Sequence, residues 1–222
     1  MTTIGIIGTG QIGMTIARLA VRAGHRVVLS NSRGPETLAG AVAELGPQAT
    51  AVTSAEAATA GDIVVISVPV AAFEHLPSAA LHGKTVIDTC NYGPERDGHV
   101  AELDDGSVTS SSLLQGHLPG AAVVKVFNTI FYKHLLALAR PTGAENRSVL
   151  PLAGDSDKAK NAVTGLLDSI GYDALDAGTL ADSWRQETGT PVWGTPYGPY
   201  SQEQGAPADA NTIRAALAAA TR

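Results

Sequence analysis

Short apolar runs recur along the chain at residues 4–7, 27–29, 49–52, 63–67, 85–87, 123–127 and 148–152, with a weaker segment near 172–175. Segments with helical spacing of apolar positions separate them. Runs without strict alternation belong to strands buried on both faces, so the pattern predicts a mostly parallel sheet covered by helices, a doubly wound α/β architecture. Ser54, followed by Ala57 and Ala58, opens a short helix. Asp155 or Ser156 caps a longer one that contains residues 158–170 and stops at Gly171. The acidic cluster at residues 154–157 fits this capping role better than a cation site. After Trp184 the alternation ends. Residues 186–207 are rich in Gly and Pro yet carry Trp193, Tyr197 and Tyr200, and an Ala-rich helical segment follows at 209–220. An irregular stretch of this length is a functional cover, an arm between subunits or passive packing, and its aromatics favour docking over disorder.

The junction after the first strand reads Gly8-Thr9-Gly10-Gln11-Ile12-Gly13. Gly8 permits a tight turn, Gly10 lets a pyrophosphate approach the backbone, and Gly13 lets the following helix lie close to the sheet. Free N–H groups and the positive helix end then face phosphate. A glycine turn also arises for steric reasons alone, but here a strand precedes it and an amphipathic segment follows, so a dinucleotide site is expected. At the end of the second strand, Asn31, Ser32 and Arg33 stand where an NAD enzyme usually places a carboxylate for the ribose diol. These groups can donate to a 2′-phosphate, with Arg33 as the charged partner, so NADP(H) is the expected cofactor. The alternative is an Arg33 that only solvates its turn.

With 222 residues the chain has room for one full core with additions. A net charge of −6 and the lack of any basic run argue against nucleic acid as a partner. The single cysteine, Cys90, excludes an internal disulfide, fits a reducing compartment, and reads as a small buried thiol after the fifth strand. No leader pattern opens the sequence, and no apolar run approaches the ~20 residues that span a bilayer, so a soluble cytoplasmic protein with no membrane partner is expected.

Ligands of open parallel sheets gather beyond the carboxyl ends of the strands. Ser67, Val68 and Pro69 follow the fourth strand, Asn91 the fifth, and Asn128, Thr129 and Ile130 the sixth. Val68 and Pro69 suit contact with a ribose or nicotinamide. Asn128 and Ile130 are the candidates nearest the chemistry, the one to hydrogen-bond a carboxamide or heterocycle, the other to pack on a flat ring; alternatively both only end the strand. No GxSxG, HExxH or CxxC pattern is present, and the six histidines lack ligand spacing, so no metal site is expected. The lack of an evident general acid favours hydride passing between a nicotinamide and an acceptor that manages its own charge. Reduction of a small carbonyl or imine, and a non-catalytic NADP sensor or partner-binding module, are the competing readings.

Together GTGQIG, SNSRGPE, ISVP, VVKVFNTI and AGDSDKAK resemble the deazaflavin-dependent NADP oxidoreductases over about residues 1–182. They are also similar to the cytosolic reductase domain of the six-transmembrane metalloreductases. The resemblance implies a Rossmann domain, placed over 1–145, a small C-terminal lobe, placed over 146–185, and a homodimer; the tail or lid over 186–222 is read from the chain's own composition. It implies hydride transfer between NADPH and a deazaflavin or flavin, which is the second, small-molecule or cofactor substrate. Carried over, Thr9, Gln11 and Ile12 contact pyrophosphate, Ser32 and Arg33 hold the 2′-phosphate, and Val68, Pro69 and Ile130 flank the nicotinamide. The chain departs from the family in having Asn128 where archaeal members tend to have His, and in its aromatic tail.

Overall fold

A computed structural model describes residues 1–222. The first half runs β1 (Thr3–Ile7), α1 (Gln11–Arg22), β2 (Arg26–Ser30), α2 (Ala39–Leu45), β3 (Ala49–Ala51), α3 (Ser54–Ala60) and β4 (Ile63–Ile66). Next come α4 (Ser78–Leu81), β5 (Thr85–Asp88), α5 (Pro94–Asp97), α6 (Ala101–Asp104), α7 (Ser110–His117) and β6 (Ala122–Lys125). The remainder is α8 (Tyr132–Ala137), β7 (Val149–Gly154), α9 (Asp157–Ile170), β8 (Asp173–Asp176) and α10 (Ala210–Ala218). The strands form one sheet in the order β3-β2-β1-β4-β5-β6-β7-β8, the Rossmann-type arrangement. Only β6 and β7 pair antiparallel, through Val124 with Gly154 and Lys125 with Ala153. That short ladder attaches the β7-α9-β8 unit to the rest of the sheet.

The apolar runs become the strands, and the inner ones are continuous because a strand covered on both faces has no solvent side; the edge strands β3 and β8 are partly exposed and correspondingly less apolar. In β4, Ile63 and Val65 enter one apolar layer while Val64 and Ile66 enter the other. The α1 helix buries Ile16, Ala17, Leu19 and Ala20 against the first of these layers. Thr53 and Glu56 form a capping box at α3. Ser156 caps α9 through the Ala159 N–H, and Gly171 ends it in the left-handed conformation. Asp155 instead accepts the Leu180 N–H at 2.9 Å, fastening the chain that leads into the tail.

The tail docks on the body of its own chain. Val192, Tyr197 and Ala208, with Ile213 and Leu217 of α10, belong to the larger apolar layer. The Tyr197 hydroxyl donates to the Val149 carbonyl at 2.8 Å, and the Val149 N–H donates to Ala208 at 2.8 Å. The Gly194 N–H reaches the Thr129 carbonyl at 2.8 Å, and His134 Nε2 lies 2.6 Å from the Gln202 carbonyl. No helix is long and apolar enough to cross a membrane.

Candidate functional site

Two cavities open along the carboxyl ends of the strands, one on each side of the glycine loop. The first, of about 510 Å³, is walled by Gly8, Thr9 and Gly10, by Asn31, Ser32 and Arg33, and by Ser67, Val68 and Pro69. The second, of about 400 Å³, is walled by Gln11 and Ile12, by Thr89 and Asn91, by residues 127–132, and by Trp193 and Tyr200. The crossover from β3 to β4 leaves a crevice between β1 and β4, which places the first cavity at the switch point of the sheet.

The three glycines of the loop do different work. Gly8 has φ +101°, and a Cβ there would collide with the Ser67 carbonyl; a Cβ at Gly13 would collide with the Gly8 carbonyl. A Cβ at Gly10 would meet nothing within 4 Å. Gly10 also has φ −74°, a value open to any residue. Its missing side chain therefore answers no contact within the protein and leaves room for a ligand against the start of α1, whose first-turn N–H groups have no partner inside the helix. Gly10→Ala should leave the urea midpoint nearly unchanged while weakening NADPH at least about tenfold, roughly 1.4 kcal/mol. Unchanged NADPH affinity would remove this loop from the cofactor site.

Beside it, Asn31 shapes the turn. Its Oδ1 accepts the Arg33 N–H at 3.0 Å and its Nδ2 donates to Thr37 Oγ1 at 2.9 Å, so the amide is already engaged. Arg33 is exposed, lines the cavity and takes part in none of the ion pairs of the molecule. An unpaired guanidinium next to a glycine cradle fits a dinucleotide bearing a 2′-phosphate.

In the second cavity the expected contacts divide into walls and braces. Asn128 Nδ2 donates to Asn91 Oδ1 at 3.0 Å and to the Gln186 carbonyl at 2.6 Å. Asn91 Nδ2 returns a bond to the Asn128 carbonyl at 2.9 Å. Both N–H groups of the Asn128 amide are thus committed, and this residue ties the ends of β5 and β6 to the tail rather than offering a donor to a ligand. Asn128 Oδ1 and Thr129 Oγ1 are buried beneath this wall with no hydrogen-bond partner. Ile130 is buried and shows the cavity only an edge. Val68 and Pro69, which the resemblance groups with Ile130, line the first cavity, and Ile130 lines the second. Phe127, also in this wall, has φ +70°, a conformation a bulky residue adopts at a cost.

The tail aromatics separate by role. Tyr197 is wholly buried in the core, whereas Trp193 and Tyr200 form the outer wall. Tyr200 lies edge-on to Phe131 at 5.0 Å and to Trp193 at 6.0 Å. Burial pushes the Tyr200 phenol above its ordinary range, so it stays protonated. This wall carries no carboxylate, ammonium, guanidinium or imidazole.

Under the floor lies a feature that the sequence reading did not anticipate. Asp88 and Lys125 are paired in register on β5 and β6, both fully buried, with Nζ 3.5 Å from Oδ2. Lys125 Nζ donates to the Cys90 carbonyl at 3.0 Å and to Ser110 Oγ at 3.1 Å. Asp88 accepts the Cys90 N–H at 2.8 Å and Ser111 Oγ at 2.6 Å. A lysine inside VVKVF and an aspartate ending TVID were the available signal. Burial, and then the Asp88 carboxylate, hold the Cys90 thiol well above its ordinary range, which makes it inert.

Residues 3–92 match the family model described as NADP oxidoreductase, coenzyme F420-dependent. Among curated proteins, the metalloreductase STEAP3 of Rattus norvegicus is 31% identical over 183 residues, 81% of this chain and 34% of that protein. The chain spans between a third and two fifths of the curated relatives it matches. The crystal structure of the hypothetical protein SMa0349 from Sinorhizobium meliloti superposes with TM-score 0.76 at 32% identity, covering 86% of this chain and 93% of that one. A structure from Arthrobacter sp. FB24 assigned to the F420-dependent NADP-reductases gives TM-score 0.68 at 24% identity, covering 82% and 87%, a likeness of fold.

Proposed function

The chain belongs to the coenzyme F420-dependent NADP oxidoreductase family, and from that premise we propose that it reduces a flavin or deazaflavin ring with NADPH. The observation that carries this reading is the pairing of the two cavities: a glycine cradle with an unpaired Arg33 on one side, an uncharged aromatic chamber on the other. The cofactor's adenosine and phosphates fit the first, and its nicotinamide fits the inner face of the second, with the acceptor ring beyond it.

When bound, NADPH supplies the hydride. The reaction consumes NADPH, the oxidised acceptor and a solvent proton, and yields NADP⁺ and the dihydro form of the acceptor. The protein's own residues bind, orient and exclude water. Gly10 and the start of α1 receive the pyrophosphate, and Arg33 receives the 2′-phosphate. Ile12 and Ile130 offer apolar surface to the nicotinamide, while Asn128 and Asn91 hold the floor rigid. Trp193 and Tyr200 flank the outer side, which limits the access of water to the hydride path.

A panel of acceptors mixed anaerobically with NADPH in a stopped-flow instrument tests the reading. Isoalloxazine or deazaisoalloxazine acceptors should oxidise NADPH, whereas a simple ketone should not, because the chamber holds no acid other than phenols. Tyr200 separates ring packing from acid catalysis. Tyr200→Phe should stay within about threefold of the parent, and Tyr200→Ala should lose about tenfold or more in kcat/KM for the acceptor, the worth of a well-packed aromatic contact. A collapse in Tyr200→Phe alone, together with turnover of a ketone or imine, would transfer the assignment to carbonyl or imine reduction.

A further inference from the structure

Resting on that reading, we infer that the favoured acceptor is a flat ring with an uncharged, hydroxylated substituent, which passes Trp193 and Tyr200 into a further cavity formed by the tail itself. That cavity, of about 470 Å³, shares Trp193 and Tyr200 with the acceptor chamber, so the two adjoin at this aromatic pair. Its wall is made of glycines, Pro199 and the hydroxyl residues Thr190, Thr195 and Tyr200, with no charged side chain. The Thr190 hydroxyl already donates to the Glu187 carbonyl at 2.8 Å, which leaves Thr195 and Tyr200 to meet a ligand. Hydroxyl partners beside an indole suit a polyol chain, whose C–H faces pack on the ring while its hydroxyls hydrogen-bond.

The surrounding charges disfavour a phosphate. Lys133 is ion-paired with Glu203, and Arg185 pairs with Asp182 at 2.8 Å. His134 is buried and bonded to the Gln202 carbonyl. The tail brings two carboxylates of its own, Glu187 and Glu203. A phosphate entering here would give up its hydration with no cation in the cavity wall to receive it. The contrast lies within one molecule: the wall of the cofactor cavity presents the unpaired Arg33, and the walls of the acceptor chamber and the tail cavity present no cation.

Riboflavin and FMN share one ring and differ by one phosphate, which makes them the direct probes. Flavin fluorescence titrations in saturating NADP⁺, and kcat/KM with NADPH, should both favour riboflavin by about tenfold or more. Thr195 is exposed, so Thr195→Lys should fold normally; it should tighten FMN about fivefold or more and leave NADPH affinity unchanged. FMN bound as tightly as riboflavin by the parent protein would overturn the inference. The binding titration does not depend on turnover: riboflavin preferred in binding yet never reduced would uphold this inference and count against the proposed reaction.

Discussion

Lys125→Met should cost about 3–5 kcal/mol of folding stability, because it leaves the Asp88 carboxylate buried without its cation. Both side chains are fully inaccessible. Lys125 also holds the Cys90 carbonyl and Ser110 Oγ, so the loss reaches the segment that carries Asn91 into the site. The combined Asp88→Asn, Lys125→Met variant should recover most of the loss, since the amide keeps partners for the Cys90 N–H and Ser111 hydroxyl and no uncompensated charge remains. Urea midpoints for the parent, the single and the double variant measure this. A single variant within about 1 kcal/mol of the parent would mean that the pair contributes little to stability.

Arg33→Ala should weaken NADPH by about 1.5–3 kcal/mol, from roughly tenfold to somewhat over a hundredfold, and leave NADH almost unchanged. The asymmetry is the informative part. Arg33 lines the first cavity without an ion-pair partner, while neighbouring Asn31 is engaged in shaping the turn. The 2′-phosphate is the only added charge by which NADPH differs from NADH, so a residue that pairs with it changes one affinity alone. Added salt should narrow the gap, because the guanidinium is exposed. Calorimetric titration of both cofactors decides, and equal losses would refute the role.

The inner strands were legible because burial on both faces writes them as uninterrupted apolar runs, while the partly exposed edge strand β8 left only a weak segment; the glycine loop was legible because its spacing obeys local geometry. What the sequence hid depends on register and on long-range contact. Nothing local shows that Asp88 and Lys125 stand side by side on neighbouring strands, since that needs the pairing of β5 with β6. Val68 and Ile130 both follow strands at the same edge of the sheet, yet they line different cavities. Both N–H groups of Asn128 and one of Asn31 are engaged within the protein, which composition cannot reveal. In the tail, aromatic content indicated docking without saying which ring goes where: Tyr197 became core, and Trp193 with Tyr200 became the chamber wall. For the same reason, removing the tail is a poor probe of its role, since it would strip Tyr197, Ile213 and Leu217 from the apolar core. Point changes at the wall are the cleaner tests.

Transfer of deuterium from the nicotinamide C4 of labelled NADPH to 5-deazariboflavin tests the central claim most directly, since the acceptor carbon retains a transferred hydride where a flavin nitrogen would exchange it. Mass spectrometry of the reduced acceptor should find one deuterium at C5, delivered by the parent protein and at a rate lowered about tenfold or more in Tyr200→Ala. Reduced acceptor bearing only solvent hydrogen, or no reduction of any isoalloxazine-like ring by protein that binds NADPH tightly, would contradict hydride transfer in this chamber.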